Sequence, residues 1–477
     1  MKPSQGQSIL GEFEDISLGD KRLDQRLLAI ARAMERAPEL SFVEQAGDAG
    51  TLEATYRFLS NKRVTPEAIF EGHAAMTARR AAAYDYVLVV HDTTEFRFGG
   101  AKERKGLGRV NSLKRDGFLA HYSLCLSPQG EPLGSVDLYA WSRLDAKKRS
   151  KAQGTLRDPH RESLRWEESA RRSSERLYGM ATPIHVMDRE GDCFDLFAML
   201  VESNQRFVIR LGHDRRLKKG RGRDGHPMLN EVLGSGPALF TREVQLGRRQ
   251  REQATKKQKI YPERAPRKAR LELRAQSISL YRGHLHAEHL PDSLNLNFIE
   301  AKEVEAPDEA TPVVWRIVTT EPIDTEAQIG GVIDMYRKRW LIEEFFKAIK
   351  SGCRFESHQL EDIKGLLIAL TLESVIAWQL LRLRYVARAD PKALGKPLLS
   401  DMQWTTMMHL RNSRGEVNQV LSVNDVIDEI ARLGAHLRNN GPPGWAVLKR
   451  GLKKLNTLAE GFSLASNGYA QKDVINL

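Results

Sequence analysis

The feature that most constrains the fold of this 477-residue chain is a pair of short apolar runs, each closely followed by an aspartate. Residues 86–90 read YVLVV and lead through His91 to Asp92, and residues 184–187 read IHVM and lead directly to Asp188. Nearly continuous apolar runs of this length are typical of strands that are buried on both faces. The chain therefore predicts a sheet covered by helices on both sides, with a carboxylate at the end of each of two central strands.

The remaining patterns predict an α/β fold that is interrupted by a β-rich insertion. Helical patterns fill residues 8–75 and return in the tail from about residue 360. Between them the sequence predicts strands at 86–90, 119–126 and 133–141, a helix at 161–178, a strand at 184–187, a helix near 194–202, a strand at 207–211, strand-like alternation from 237 to 300, a strand at 313–319 and a long helix at 325–351.

Positive charge is concentrated in one part of the chain. The formal net charge is +12, but residues 206–274 alone carry 20 Lys plus Arg against 7 Asp plus Glu. Two blocks in this segment, 215–225 and 248–259, predict exposed basic loops or arms. Such blocks suit contact with phosphates, because each Lys or Arg displaces counterions from a nucleic acid. A solvated basic loop without a partner is the alternative.

Composition and targeting signals argue against a membrane or secreted protein. The most apolar run, 365–381, is short and contains Glu373 and Gln379, so it predicts a buried core helix. The first 15 residues lack the apolar stretch of an export signal. Three widely spaced cysteines predict neither a disulfide framework nor a zinc knuckle, and a cytoplasmic location is expected.

A third acidic position lies on the long predicted helix. Tyr336, Arg339, Glu343 and Lys350 are spaced by 3, 4 and 7 residues, which places them on one helical face. An exposed i,i+4 ion pair would also explain Arg339 and Glu343, and turn or capping roles would explain either aspartate taken alone.

Together, Asp92, Asp188 and Glu343 form a set of three carboxylates drawn from two strands and a later helix. Such a set can hold two divalent cations, and Mg²⁺ or Mn²⁺ suits its hard oxygen donors. The sequence therefore predicts a metal-dependent site for phosphodiester chemistry.

These motifs resemble those of bacterial cut-and-paste transposases of the DDE class. The resemblance is to the insertion-sequence group with a Tyr-x2-Arg-x3-Glu-x6-Lys signature, of the type found in the kanamycin-resistance composite transposon. The signature is matched by Tyr336, Arg339, Glu343 and Lys350, and the motifs HDTT at 91–94 and MDREGD at 187–192 are also similar.

The resemblance implies a three-part organisation. Residues 1–75 would be a helical domain that binds transposon ends, and residues 366–477 a helical dimerisation domain. Residues 76–365 would form an RNase H-like catalytic domain, with the β-rich basic insertion at about 212–312. The implied protein is a homodimer that acts on double-stranded transposon ends and target DNA in the bacterial cytoplasm, at the nucleoid.

The resemblance also implies roles for individual residues. Asp92, Asp188 and Glu343 would be the catalytic, metal-binding triad for two Mg²⁺ ions, with Mn²⁺ able to substitute. The reaction would proceed by nicking, a hairpin intermediate that requires a flipped base, hairpin opening and strand transfer. The residues expected to contact DNA are Tyr336, Arg339, Lys350, Trp315, Trp340, Arg210, Arg26 and Arg36.

Two other functions remain open from the sequence. The first is an RNase H-like nuclease, such as a junction resolvase, that hydrolyses DNA without strand transfer. The second is a non-catalytic DNA-binding regulator. The complete carboxylate set disfavours the regulator, and the aromatic and basic residues around Tyr336 disfavour a simple nuclease.

Overall fold

A computed structural model describes the backbone of most of the chain. The described residues are 9–36, 42–99, 104–110, 116–143, 161–218, 227–233, 237–247, 263–283, 286, 288–307, 310–416, 420–437 and 443–475.

Ten described strands form one mixed sheet. They are β1 (Tyr86–Arg97), β2 (Gly108–Arg109), β3 (Asp116–Leu126), β4 (Pro132–Trp141), β5 (Thr182–Met187), β6 (Arg206–Arg210), β7 (Phe240–Leu246), β8 (Arg267–Tyr281), β9 (Ser293–Val304) and β10 (Val314–Thr319). The order is β2-β3-β1-β5-β6-β10-β9-β8-β7, and β4 also pairs with β3. Strands β1, β5 and β6 are parallel to one another, and the other pairs are antiparallel.

The predicted β-rich insertion continues the central sheet. Strand β10 pairs with β6 on one side and with β9 on the other, so β9, β8 and β7 extend the same sheet outward. The prediction of strands within 237–300 is confirmed, and the structure adds that they share the sheet of the two aspartate motifs. Most of the two basic blocks, residues 219–225 and 248–259, lies outside the described residues.

The described part of the chain contains thirteen helices. They are α1 (Lys21–Arg36), α2 (Phe42–Ala46), α3 (Ala49–Ser60), α4 (Pro66–Ala81), α5 (Leu164–Leu177), α6 (Phe194–Glu202), α7 (Leu229–Leu233), α8 (Glu326–Lys338), α9 (Trp340–Lys347), α10 (Ile363–Ala389), α11 (Asp401–Asn412), α12 (Val423–Leu433) and α13 (Trp445–Ile475). Side chains cap several of them: Asp48 accepts from Thr51 at the start of α3, and Thr325 forms a capping box with Gln328 at the start of α8.

Helix α10 is the apolar helix that the sequence predicts as a core element. By length and composition it could cross a membrane, but most of its apolar stretch is buried inside the protein. Its Ser374 hydroxyl lies 2.8 Å from the Tyr122 hydroxyl of β3, and Trp378 donates to the Pro132 carbonyl of β4 at 2.9 Å. The helix therefore packs on the sheet, as a core helix does.

The predicted continuous helix over 325–351 is wrong in one respect. The structure divides it at Arg339, where α8 ends and α9 begins, and a π-helical segment Ala348–Gly352 follows α9. The Arg339 N–H donates to the carbonyl of Tyr336, three residues back, which tightens the turn. The break lies at the residue whose side chain reaches the carboxylates described below.

Candidate functional site

Strand pairing brings the two aspartates of the sequence motifs side by side. Val90 of β1 pairs with Val186 of the parallel strand β5. Asp92 and Asp188 each lie two residues further along, so they occupy neighbouring positions at the carboxyl end of β5. Neighbouring strands are about 4.8 Å apart, which is close enough for two carboxylates to share a ligand.

The two aspartates differ in local structure, and one prediction needs correction. Asp188 follows the last residue of β5, as predicted, but Asp92 does not end its strand, because β1 continues to Arg97. The continuation is held by antiparallel pairing with β3, which places Asp92 opposite Tyr122. Asp92 therefore has a rigid backbone on both sides.

Each aspartate uses one carboxylate oxygen to fix the local backbone. Asp92 Oδ1 accepts from the Thr93 N–H at 2.7 Å, and Asp188 Oδ1 accepts from the Glu190 N–H at 2.8 Å. The turn and capping role that the sequence allowed for Asp188 is thus present, since it caps the 3-10 turn Arg189–Gly191. The remaining oxygens are available for other partners.

Helix α9 brings Glu343 to the same edge of the sheet, and Arg339 connects it to β1. The Arg339 guanidinium donates to Asp92 Oδ2 at 3.0 Å and also to Glu343 Oε1. The Arg339 side chain is 13% exposed, against 16% for Asp92 and 30% for Glu343. The spacing of four residues predicts the Arg339–Glu343 pair, but the contact with Asp92 shows that it is more than an exposed helix pair.

The carboxylates repel one another in this partly buried site. Burial raises the pKa of Asp92 to about 7, and the charges of Asp188 and Glu343 add to the effect while Arg339 opposes it. Burial also raises the pKa of Glu343, with Arg339 again opposing. Burial disfavours the Arg339 cation, but attraction to Asp92 and its neighbours outweighs burial and raises the pKa of Arg339. Arg339 is the cation that bonds two of the three carboxylates, and Lys347 adds a weaker opposing effect on the pKa of Glu343.

The donor set fits a divalent cation, although the ligand atoms are not gathered around one point. Carboxylate oxygens are what Mg²⁺ and Mn²⁺ prefer, and added positive charge would relieve the repulsion at Asp92. Among the described residues, however, a different group brings three possible ligand atoms within 4.8 Å of one another: Glu167, Cys193 and Asp195. At the carboxylate triad the Arg339 guanidinium lies between Asp92 and Glu343.

Three predicted DNA-contacting residues lie together beside the triad. Tyr336 is buried on α8, and its ring meets that of Trp315 edge to face at 5.9 Å. Arg210 of β6 reaches the Tyr336 hydroxyl at 3.5 Å and donates to the Val314 carbonyl at 2.9 Å. The structure thus brings residues from β6, β10 and α8 to one place next to Arg339.

Lys350 and Trp340 lie in different surroundings. Lys350 places its Nζ 5.4 Å from the centre of the Phe96 ring, four residues beyond Asp92 on β1. Burial lowers the pKa of Lys350, and Glu356 opposes this effect. Trp340 is 44% exposed and has the Lys347 Nζ 4.9 Å above its ring. Trp340, exposed on the surface of α9, is accessible to a ligand, whereas Tyr336 is buried.

The two predicted end-binding arginines lie on α1, away from these contacts. Arg26 is partly exposed and its charge lowers the pKa of Asp48, after the stronger effect of the hydrogen bonds from Thr51. The backbone of Arg36 ends α1, and its side chain lies outside the described part of the chain.

The structure adds residues that sequence reasoning missed. Arg165 of α5 donates from Nε to the Thr93 hydroxyl at 3.0 Å and from a terminal nitrogen to Glu190 at 2.7 Å. Asp192 accepts from Arg215 and from the N–H groups of Gly212 and His213, which fixes the segment after β6. Asp192 belongs to the MDREGD motif and could have been flagged, whereas nothing in the sequence around Arg165 distinguishes it.

Comparison with known proteins gives two family matches and several similar solved structures. Residues 8–64 match the family model described as "Transposase DNA-binding", and residues 170–380 match the one described as "Transposase DDE domain". The second range contains Asp188 and Glu343 but not Asp92. A cryo-EM structure of the piggyBac transposase synaptic complex with hairpin DNA is similar with a TM-score of 0.39 and 8% identity, over 93% of this chain and 72% of that one. A likeness at that level supports no inference about this chain.

Proposed function

This chain belongs to the DDE transposases, since it carries a transposase DNA-binding domain and a transposase DDE domain, and from that premise we propose that it catalyses cut-and-paste transposition. In this proposal it binds transposon ends, cleaves them through a hairpin intermediate and joins them to target DNA. The observation that carries the proposal is the register that puts Asp92 beside Asp188, with Glu343 connected to Asp92 through Arg339.

Asp92, Asp188 and Glu343 are proposed to hold the divalent metal, with Mg²⁺ the expected ion and Mn²⁺ a substitute. When bound, two such ions activate the attacking oxygen and stabilise the leaving oxygen of a phosphodiester. The chain's own contribution is to hold the carboxylates in place. The N–H groups of Thr93 and Glu190 orient Asp92 and Asp188, and Arg339 balances part of their charge.

The sheet supports an RNase H-like catalytic domain within residues 76–365. Strands β4, β3, β1, β5 and β6 follow one another in space, with two antiparallel pairs and then two parallel pairs. In this proposal the helical residues 1–75 bind the transposon ends, partly through Arg26 and Arg36, and residues 366–477 form the dimerisation domain. The protein would work as a homodimer at the nucleoid of a bacterial cell.

The residues around Tyr336 are proposed to guide the DNA strand into the site. Arg210, which reaches the Tyr336 hydroxyl, and Arg339, which reaches Asp92, are proposed to offer positive charge to phosphates. Trp315 and Trp340 are proposed to stack on bases, one of them on a base flipped out for hairpin formation. Lys350, whose Nζ lies over the Phe96 ring of β1, is proposed to contact the phosphate backbone of the same DNA strand.

The reaction products test this proposal against a nuclease without strand transfer. The full chain is incubated with labelled DNA that carries candidate terminal inverted repeats, in the presence of Mg²⁺, and the products are separated on a denaturing gel. Nicks, hairpins and joined products are expected. Nicks alone, in a reaction that also contains target DNA, would support the nuclease, and binding without any cleavage would support a regulator.

The basic segment at 206–274 is proposed to provide much of the salt-dependent affinity for DNA. Replacing Lys256 and Lys257 with Gln should reduce the slope of log affinity against log salt by up to about 2, since each phosphate contact contributes about 0.9. The matched control replaces Lys453 and Lys454 with Gln, outside the segment, and should leave the slope unchanged. An unchanged slope for both pairs would show that the first pair does not contact DNA.

A further inference from the structure

Arg165 lies on the opposite side of the sheet from Arg339, close beneath the two aspartates. It belongs to α5, and its side chain is 11% exposed. Its guanidinium lies 5.5 Å from the centre of the Trp141 ring and 5.4 Å from that of Trp166. One terminal nitrogen of the guanidinium donates to the Glu162 carbonyl at 2.9 Å. The group is therefore fixed by rings and by hydrogen bonds in several directions.

The contacts of Arg165 join the two segments that carry the aspartates. Its Nε donates to the hydroxyl of Thr93, the residue after Asp92. Its terminal nitrogen donates to the Glu190 carboxylate, and the Glu190 N–H in turn donates to Asp188 Oδ1. One planar guanidinium thus ties β1 to the turn after β5 without touching either aspartate.

A lysine could not make this connection in the same way. The two acceptors, Thr93 and Glu190, lie on different chain segments, and the fixed fork of a guanidinium meets both at once. Thr93 is held from its other side by His121, whose Nδ1 is 2.9 Å from the Thr93 hydroxyl. The geometry beyond the end of the β1–β5 pairing therefore depends on side chains, because backbone pairing between these strands stops at Val186.

We propose that Arg165 is a positioning residue that sets the separation of Asp92 and Asp188 required to share a divalent cation. This inference rests on the proposed function, since it assumes that these two aspartates bind metal. Residues behind the ligands of a metal site commonly change its metal affinity by 10–100-fold when they are replaced.

The test compares Arg165→Met with Arg171→Met in the full-length chain. Arg171 lies on the same helix, is 58% exposed and pairs with Glu175, so its replacement controls for loss of one α5 charge. Isothermal titration with Mn²⁺ measures affinity without catalysis, and binding of an end-containing DNA duplex in EDTA measures fold and DNA recognition. We expect Arg165→Met to weaken Mn²⁺ binding on the order of 10-fold or more, with Arg165→Lys intermediate, and DNA binding in EDTA to stay unchanged.

A second variant covers the case in which Arg165→Met fails to fold. Thr93→Val keeps the shape of the strand residue but removes the oxygen that Arg165 bonds, and it should weaken Mn²⁺ binding several-fold. If Arg165→Met or Thr93→Val binds Mn²⁺ as Arg171→Met does, the positioning role is overturned. Asp188→Asn separates the two proposals: if it too keeps full Mn²⁺ affinity, the metal site itself is wrong and both proposals fall.

Discussion

Two carboxylate clusters in this protein are each bridged by one arginine, but they differ in how completely their charge is balanced. Arg161 pairs with Glu167 at 3.1 Å and with Asp195 at 3.0 Å, and His286 adds a further contact to Asp195 at 2.7 Å. We call this group the α5–α6 cluster. Cys193 lies beside it and starts α6 as the N-cap residue.

The triad of Asp92, Asp188 and Glu343 has less compensation. Arg339 pairs with two of its members, and Asp188 forms no ion pair within 4.0 Å among the residues that the structure describes. The α5–α6 cluster gathers its ligand atoms more closely, yet its two carboxylates already have an arginine and a histidine. The two groups are therefore different kinds of candidate site. The α5–α6 cluster has close donor atoms whose carboxylates are ion-paired, and the triad has one carboxylate, Asp188, without an ion pair among the described residues.

We expect the largest effect when one carboxylate of each cluster is replaced and the rate of DNA cleavage is compared. Glu343→Gln should lower DNA cleavage by on the order of 10³-fold or more while leaving end binding intact, because it removes a carboxylate that the chemistry requires. Glu167→Gln changes the same residue type in the α5–α6 cluster and should leave cleavage within about threefold. Single-turnover cleavage rates check both. A Glu343→Gln variant with full activity would remove Glu343 from the catalytic set.

The next largest effect should be on the pH dependence of folding stability in the absence of metal. The folded-state pKa of Asp92 is raised to about 7 by burial, so the folded chain holds a proton that the unfolded chain has released. Stability should therefore fall as pH rises from about 4 to 7, and Asp92→Asn should escape this loss. At pH 8 in EDTA the variant should be more stable by about 4 kcal/mol, since the pKa of Asp92 is raised by roughly three units and each unit is worth about 1.4 kcal/mol.

Thermal unfolding midpoints at pH 5 and pH 8 measure this difference. The advantage of Asp92→Asn should be smaller at pH 5 and should shrink when Mg²⁺ is added at pH 8. Asp85→Asn, at an exposed residue before β1, is the control and should do little at either pH. Asp195→Asn should have the opposite sign and lower stability, because it breaks contacts with Arg161 and His286. Equal midpoints for Asp92→Asn and the unchanged chain at pH 8 would contradict the charge imbalance at the triad.

The smallest effect should come from opening the α5–α6 cluster. Arg161→Met should destabilise the chain by about 2 kcal/mol, because it leaves two partly buried carboxylates facing each other. The exposed pair at Arg171 gives the comparison, and Arg171→Met should cost less than about 1 kcal/mol. Zn²⁺ should restore part of the stability of Arg161→Met, since Cys, His and carboxylate groups are its usual ligands. No response to Zn²⁺ in that variant would show that the cluster cannot accept a metal.

Much of the fold was predictable because it depends on local patterns. The apolar runs predicted the central strands, and the helical periodicity predicted α5, α6 and α10. The strand-end position of Asp92 was wrong, because the residues after it are too polar to look like a strand and become one only through pairing with β3. The uninterrupted helix was wrong for a similar reason, since the break at Arg339 accompanies a contact with β1.

The candidate site was predictable in its members but not in its arrangement. The spacing of Tyr336, Arg339 and Glu343 predicts a shared helical face, and the structure brings all three to the edge of the sheet. Arg165 has no distinguishing pattern in the sequence, because its contact partner Thr93 lies 72 residues away along the chain. Sequence periodicity relates residues that are close along the chain, so it does not indicate a contact between residues this far apart.

The element types, the basic segment and the carboxylate set could be predicted from the sequence, since each follows from residues that are close along the chain or from simple counts. The tertiary structure was needed to show that the insertion continues the central sheet and that the pairing of Val90 with Val186 places Asp92 near Asp188. It was also needed to show that Arg339 contacts Asp92 and that Arg165 contacts the neighbouring Thr93. Those outcomes depend on pairing between segments far apart in the chain. Many pairings satisfy the same local patterns, and the packing of the whole sheet selects one of them.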